Sequence, residues 1–199
     1  LSNSDSHSLP KIAREYQLVE MKAPSFAELR QALAQEGGRL VVANFGLDPR
    51  LGKYHRTCCE ACGWIARGPA PVTECEQCGS GAVTMGVLDR IKTIADYAEA
   101  RQPTRRAPYR YQVPLQFVPG IGSVALNRLI NALGSEMAVL HQASEAEIAQ
   151  LISPKVARLI VMAREGRLSL IAGGGGKYGR AVANPGKAAQ LDLPGLKEP

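Results

Sequence analysis

Four cysteines, arranged as Cys59-x2-Cys62 and Cys75-x2-Cys78 with twelve residues between the pairs, constrain this chain more than any other feature. A Cys-x2-Cys turn followed by glycine, here Gly63 and Gly79, lets the backbone take a positive φ and aim both sulfurs at one point. Two such turns complete a closed tetrahedral thiolate site, which holds a structural zinc and leaves no position for substrate. The spacing therefore predicts a zinc ribbon and not a catalytic centre. Two disulfides or free buried thiols are the alternative, but five cysteines is an odd number and the sequence shows no secretory-signal pattern. Cys58 is the surplus cysteine. Cys58-x3-Cys62 is also a usable spacing, although Cys59 matches the second pair better. His55 and His141 read as ordinary packing or surface residues, with His55 close enough to the ribbon to support it.

Charge divides the chain. Residues 1–100 carry 11 basic and 12 acidic groups, whereas residues 101–199 carry 13 basic and 6 acidic ones. A basic half joined to a neutral half points to a polyanion as partner of the C-terminal part. No acid occurs between Glu99 and Glu136, a stretch that holds Arg101, Arg105, Arg106, Arg110 and Arg128. The longest apolar run, near Leu159–Ala163, is far too short for a membrane span. The composition predicts a cytoplasmic protein with no membrane partner. The sequence starts at Leu1 and not at methionine, which suggests a piece of a longer protein.

The hydrophobic pattern predicts α/β structure over 1–50. An extended segment Leu1–His7 precedes a strand near 17–22. Ser25 with Glu28 three residues on is a capping-box pattern that opens a helix with Phe26, Leu29 and Leu33 on one face. Gly37 and Gly38 end that helix, and 40–43 reads as a buried strand. Such short alternating elements suggest the last units of a parallel α/β structure. The ribbon takes 51–86, with 82–85 as its closing strand. An apolar stripe of Val87, Ile91, Ile94 and Ala98 then marks a helix, followed by a Pro-punctuated basic linker within 87–110. Short helices are expected at 123–133, 135–142, 144–152 and 154–165, in a helical domain over 111–182. A flexible tail fills 183–199.

Phe117-Val118-Pro119-Gly120-Ile121-Gly122-Ser123 resembles a helix-hairpin-helix element. Its glycines allow a tight turn, Ile121 packs inward, and free N–H groups at the start of the next helix can hold a phosphate. The candidate DNA-binding residues are Gly120, Ile121, Gly122, Ser123, Arg128 and Lys177. The plain reading of the same residues is a Pro-Gly turn between helices. A degenerate second hairpin at Ile152-Ser153-Pro154-Lys155 lacks glycines and suits packing. Tyr109 and Tyr111 stand among arginines and read as surface or core residues, with base stacking as the alternative. Gly173–Gly176 followed by Lys177-Tyr178-Gly179-Arg180 lacks the ending of a phosphate loop and reads as a flexible segment or one that lies against DNA.

Taken together, Ser4-Asp5-Ser6-His7 with Lys11-Ile12-Ala13-Arg14-Glu15, Gly52-Lys53-Tyr54-His55-Arg56-Thr57, the ribbon, Val113-Pro114-Leu115 with Pro119-Gly120-Ile121-Gly122, and Gly173–Gly179 resemble the C-terminal half of the endonuclease Q family. The resemblance implies a PHP metallohydrolase (β/α) barrel, of which this chain carries the C-terminal end over 1–50, followed by a zinc module and a helix-hairpin-helix domain. It implies nicking of DNA 5′ to deaminated bases (uracil, hypoxanthine, xanthine) and at abasic sites by metal-assisted hydrolysis, with duplex DNA as partner. It also matches Asp5 and His7 to metal ligands of a split active site that takes zinc or manganese. The earlier ligands of that barrel are absent from this sequence, so the longer protein is expected to be the endonuclease and this chain alone to be inactive. Two other readings are a non-catalytic zinc-containing nucleic-acid-binding module and a PHP phosphoesterase acting on a small molecule.

Overall fold

The Ser25 hydroxyl accepts a hydrogen bond from the Glu28 N–H at 3.3 Å and starts helix α1, Phe26–Ala34. Residues 6, 8–101 and 103–183 are described in the computed structural model of this chain. They form two compact units, one containing residues up to 47 with 103–114, the other 48–101 with 115–183. The extended segment expected over Leu1–His7 and all of the expected tail from 184 onward lie outside the described residues, Ser6 excepted.

In the first unit, strand β1 (Tyr16–Glu20), α1 and strand β2 (Leu40–Leu47) follow the sequence reading closely. Their pairing does not: β1 and β2 are antiparallel, with a bulge between Leu18 and Val19, where short alternating elements suggested a parallel sheet. The Glu28 carboxylate explains the reversal. It accepts from the Lys22 N–H at 2.8 Å and from the Arg39 guanidinium at 2.9 and 3.0 Å. This ties the exit from β1 and the entry to β2 to the same first turn of α1, so the chain returns from the end at which it left. Those contacts also set which helix face turns inward. Ala32 is buried and Leu29 half-buried, while Phe26 and Leu33, expected on the buried face, are 92% and 48% exposed.

The basic stretch read as a linker contributes a strand to this unit. β5, Tyr109–Gln112, runs parallel to β2 with Asn44 opposite Tyr109, giving the sheet order β1-β2-β5. Two further hydrogen bonds hold it, from the Gln112 side chain to the Arg14 carbonyl and from the Gln35 side chain to the Arg105 carbonyl, both 2.8 Å. Tyr109 and Tyr111 are 5.1 Å apart between ring centres and about half exposed.

The second unit contains two short hairpins and five helices. Strands β3 (Cys58–Cys59) and β4 (Val83–Thr84) pair antiparallel and close the cysteine module. Helix α2 (Val87–Ile94) follows, then a 3-10 turn (Leu115–Phe117) and helices α3 (Ser123–Leu133), α4 (Glu136–His141), α5 (Glu145–Leu151) and α6 (Pro154–Arg164). Strands β6 (Ser169–Ile171) and β7 (Arg180–Val182) end the described chain. Each of α4, α5 and α6 begins at a serine that accepts a backbone N–H, and α5 has a complete capping box of Ser144 and Glu147. The Arg164 guanidinium bonds the Val139, Leu140 and Ala143 carbonyls and so satisfies the end of α4. Leu115, Leu129, Val139, Ile148 and Ile160 form the buried centre.

Helix α2 lies the other way round from its hydrophobic pattern. Val87, Ile91 and Ile94 are 55%, 53% and 59% exposed, Ala98 lies beyond the helix and is also exposed, and the residue turned inward is Asp89. The buried carboxylate accepts the Thr57 and Val72 N–H groups, both at 2.9 Å, and the Arg56 guanidinium. Satisfying that many donors fixes the helix face against the cysteine module in preference to burying the aliphatic stripe.

Among the described residues, no helix is long and apolar enough to cross a membrane.

Candidate metal centre and nucleic-acid interface

Cys59, Cys62, Cys75 and Cys78 bring their sulfurs within 4.8 Å of one another. Both knuckles have the same backbone form. The Gly63 N–H reaches the Cys59 carbonyl and the Gly79 N–H the Cys75 carbonyl, with φ of 72° at Gly63 and 71° at Gly79. At both positions the positive φ makes glycine the favoured residue.

The cluster fits a tetrahedral metal. Zinc–sulfur bonds of about 2.3 Å place the sulfurs about 3.8 Å apart. Here Cys59 and Cys78 are 3.7 Å apart and Cys62 and Cys75 3.6 Å apart. The thiols alone cannot all ionise at that distance. Hydrogen bonds from the Cys62 and Ala61 N–H groups bring Cys59 down to about 7. The Trp64 N–H pulls Cys62 in the same direction, but burial and the other three sulfurs outweigh it and push that thiol up to about 12. Cys78 is also raised, because the Cys75 and Cys59 sulfurs and burial outweigh the Ser80 N–H. A dication removes this conflict. Cys59 and Cys75 are buried and Cys62 and Cys78 exposed, so the module rests on one side against the protein.

Cys58, although next to Cys59, is not one of the four. Its sulfur lies against the glycine run, where a side chain on Gly175 would come within 2.4 Å of it. His55 is buried with its imidazole held below its ordinary range, first by burial and then by the Arg56 charge. It too is outside the cluster.

Residues 118–122 form the turn between the 3-10 segment Leu115–Phe117 and helix α3. The Val118 N–H bonds the Leu115 carbonyl and the Ile121 N–H the Val118 carbonyl, at 3.0 and 3.2 Å. Gly120 has φ of 90°, and a side chain there would meet the Val156 methyl of α6 at 2.8 Å. The first hairpin therefore packs against the start of α6, which the second, glycine-free hairpin opens. Val118 is the side chain that is turned inward, 2% exposed, whereas Ile121 is half-buried. Gly122 is the N-cap of α3 and offers no side-chain acceptor, leaving the first-turn N–H groups beginning at Ser123 without a side-chain cap. Arg128 is held by a hydrogen bond from Nη1 to the Leu151 carbonyl at 3.1 Å, joining α3 to the end of α5.

The glycine run differs most from expectation. It is neither a flexible segment nor a phosphate loop: Gly173 and Gly174 are buried against residues 50–58. The Gly173 N–H bonds the Arg50 carbonyl, the Arg56 N–H the Gly173 carbonyl, the Gly176 N–H the Lys53 carbonyl and the Gly179 N–H the Leu51 carbonyl. A Cβ on Gly173 would stand 2.5 Å from the Gly52 carbonyl oxygen, and one on Gly174 2.7 Å from that of Arg56. The glycines are there because backbone packs on backbone. Lys177 and Tyr178 project from this anchored turn, both exposed, and the Tyr178 ring meets Phe117 edge-on with centres 6.0 Å apart. That contact puts Lys177-Tyr178 beside the hairpin. Sequence reasoning picked out Lys177 and passed over Tyr178. The Phe117 contact is non-local, so the only signal was an aromatic residue next to a lysine within the glycine motif. Asp5 and His7 lie outside the described residues.

No family model matches this chain. It is 49% identical over 90% of its length to the Bacillus subtilis protein called uncharacterized protein YqxK, covering 46% of that protein. It is 33% identical over 94% of its length to uncharacterized protein MJ0043 of Methanocaldococcus jannaschii, covering 26% of that one. Among solved structures, it is similar to the lesion-specific endonuclease PfuEndoQ from Pyrococcus furiosus, with a TM-score of 0.69, 33% identity and coverage of 94% of this chain and 50% of that chain. It is also similar to endonuclease Q in complex with a 27-mer duplex substrate carrying an abasic lesion at the active site. The TM-score is 0.70 at 36% identity, with 97% of this chain and 52% of that chain covered. The resemblance to endonuclease Q read from the sequence therefore holds over nearly the whole chain, and the chain spans about half the length, or less, of the proteins it matches.

Proposed function

We propose that this chain is the DNA-holding part of a repair endonuclease that nicks DNA at deaminated bases (uracil, hypoxanthine, xanthine) and abasic sites. The observation that carries the reading is the similarity, along 97% of the chain, to an endonuclease Q bound to a duplex with an abasic lesion. Two local features agree with it. The uncapped start of α3 at Gly122 presents N–H groups at the positive end of the helix dipole, which suits a phosphate. The four-cysteine cluster has the sulfur spacing of a structural zinc site.

In this reading Gly120, Ile121, Gly122 and Ser123 grip the DNA backbone without reading sequence, and Lys177 adds a cation beside them. Arg128 positions α3 through the Leu151 carbonyl. Cys59, Cys62, Cys75 and Cys78 hold zinc, which fixes the module that Asp89 docks against α2. Asp5 and His7 contribute to a split PHP-type site for zinc or manganese whose remaining ligands come from a longer protein. The 199-residue chain alone then binds DNA and does not cut it.

Fluorescence anisotropy of the zinc-loaded chain with a labelled abasic duplex, at increasing salt, tests the reading. Binding that weakens steeply and linearly on a log–log salt plot is expected. Absence of binding at low salt would overturn it, and metal-dependent nicking by this chain would overturn the assignment of a split site.

A further inference from the structure

The hydrogen bond from the Gly176 N–H to the Lys53 carbonyl, 3.0 Å, joins two Lys-Tyr dipeptides that are far apart in sequence, Lys53-Tyr54 and Lys177-Tyr178. Both tyrosines are exposed, Tyr54 at 50% and Tyr178 at 59%. Exposed aromatic rings cost solvation unless something covers them, and here each ring has a lysine as its chain neighbour. Lys53 Nζ stands 5.2 Å from the Tyr54 ring centre.

The turn that carries Tyr178 cannot move freely. Gly173 and Gly179 are buried, and side chains at either would collide with backbone at 2.3–2.5 Å, so the turn is pressed onto residues 50–52 from both ends. Phe117 then meets the Tyr178 ring edge-on, and the phosphate-gripping turn begins at the next residue, Val118. A T-shaped contact of this kind covers at most one face of the Tyr178 ring, which is 59% exposed. A rigid ring with an open face, next to a lysine and beside a backbone phosphate grip, has the parts of a stacking platform for a nucleobase.

We infer that Tyr178 stacks on an unpaired base of DNA held by the hairpin, with Lys177 neutralising the adjacent phosphate, so that this turn favours a duplex opened at a lesion over an intact one. A base inside an intact duplex is already stacked on its neighbours and gains little from the ring. A base beside an abasic gap, or opposite it, has lost a stacking partner, and Tyr178 replaces it. The inference rests on the DNA-holding function proposed above, and it assigns a binding role to a residue that function does not need.

The test compares the zinc-loaded chain with Tyr178→Ala and Tyr178→Phe. Affinities are measured for an intact duplex and for the same duplex with an abasic site, with 2-aminopurine opposite the gap as a stacking probe. The wild-type chain is expected to prefer the abasic duplex and to quench 2-aminopurine. Tyr178→Ala should lose about fivefold to a hundredfold in affinity for the abasic duplex, the range for one base–aromatic stack, and lose the quench. Its affinity for intact duplex should change less than about twofold, since phosphate contacts are untouched. Tyr178→Phe, which keeps the ring and its contact with Phe117, should behave as wild type and so excludes a folding defect as the cause. Unchanged abasic preference in Tyr178→Ala overturns the inference while leaving the DNA-holding function standing. Failure of the wild-type chain to bind either duplex overturns both.

Discussion

Arg56 and Asp89 form an ion pair, Nε to Oδ2 3.2 Å, with side chains only 1% and 0% exposed. The second Asp89 oxygen takes the Val72 N–H, and the Arg56 Nη2 donates to the Gly68 carbonyl at 2.8 Å. One carboxylate thus ties the strand leading into Cys58, the loop between the two cysteine pairs and helix α2 together. Burial works against the charged carboxylate of Asp89, but the hydrogen bonds from the Arg56 guanidinium and from the Thr57 and Val72 N–H groups outweigh it and hold the carboxyl below its ordinary range.

Breaking this pair leaves an uncompensated buried charge, so Asp89→Asn is expected to lower unfolding stability by about 3 kcal/mol in urea titrations of the zinc-loaded chain. A double replacement, Arg56→Met with Asp89→Leu, removes both charges but strands the Thr57 and Val72 N–H groups. It should recover only part of the loss. A single Asp89→Asn cost below about 0.5 kcal/mol would show that the hub is not what fixes α2.

Removal of the metal should loosen the cysteine module before the helices. Trp64 is the only tryptophan and its backbone N–H faces the Cys62 sulfur, so the residue is part of the knuckle and its emission reports on it. One zinc per chain is expected by elemental analysis. Chelation should change the Trp64 emission, with readdition of zinc restoring it. Cys75→Ser should abolish the zinc stoichiometry, whereas Cys58→Ser should leave it at one.

The glycine run separates packing from conformational freedom. Gly173→Ala places a methyl 2.5 Å from backbone atoms and should cost more than about 2 kcal/mol. Gly176→Ala meets no atom within 4 Å, although φ there is 82°, and should cost about 1 kcal/mol. Thermal midpoints of the two variants check the order. Equal losses would contradict the anchored turn.

Acid should destabilise the second unit through two histidines, His55 and His141. Burial, followed by the Arg56 charge for His55 and the Arg164 charge for His141, lowers both imidazoles below their ordinary value. A lowered histidine is more easily protonated in the unfolded chain, so its contribution is fully present above an unfolded value of about 6.5 and is lost as pH falls below it. Thermal midpoints should decline between pH 7 and 5, and the decline should shrink in His141→Gln. Elemental analysis on the same samples separates this from zinc loss.

Where one local rule decided the outcome, the sequence was legible. The cysteine spacing, the serine caps of α1, α4, α5 and α6 and the hairpin glycines each state their structure within a few residues. The orientation of α1 and α2 was not legible. The stripe of Val87, Ile91 and Ile94 is a correct helical period, but the partners that turn Asp89 inward, Arg56, Thr57 and Val72, lie 17 to 33 residues away. The antiparallel return of β1 and β2 depends on Glu28 meeting both Lys22 and Arg39, and the role of the glycine run on residues 50–58 more than a hundred positions earlier. Periodicity records which residues are apolar. It does not record what a buried carboxylate or an unpaired backbone edge requires.

The most direct test of the DNA-holding function is the affinity of Gly122→Asp for duplex DNA. Gly122 has φ of −93° and ψ of 178° with open space around its Cβ position, so aspartate fits and is a better N-cap than glycine. It satisfies the first-turn N–H groups of α3 and puts a negative charge where the phosphate would sit. The function proposed here predicts a protein at least as stable as wild type whose duplex affinity falls more than about tenfold. A Gly122→Asp chain that binds duplex as tightly as wild type would contradict it.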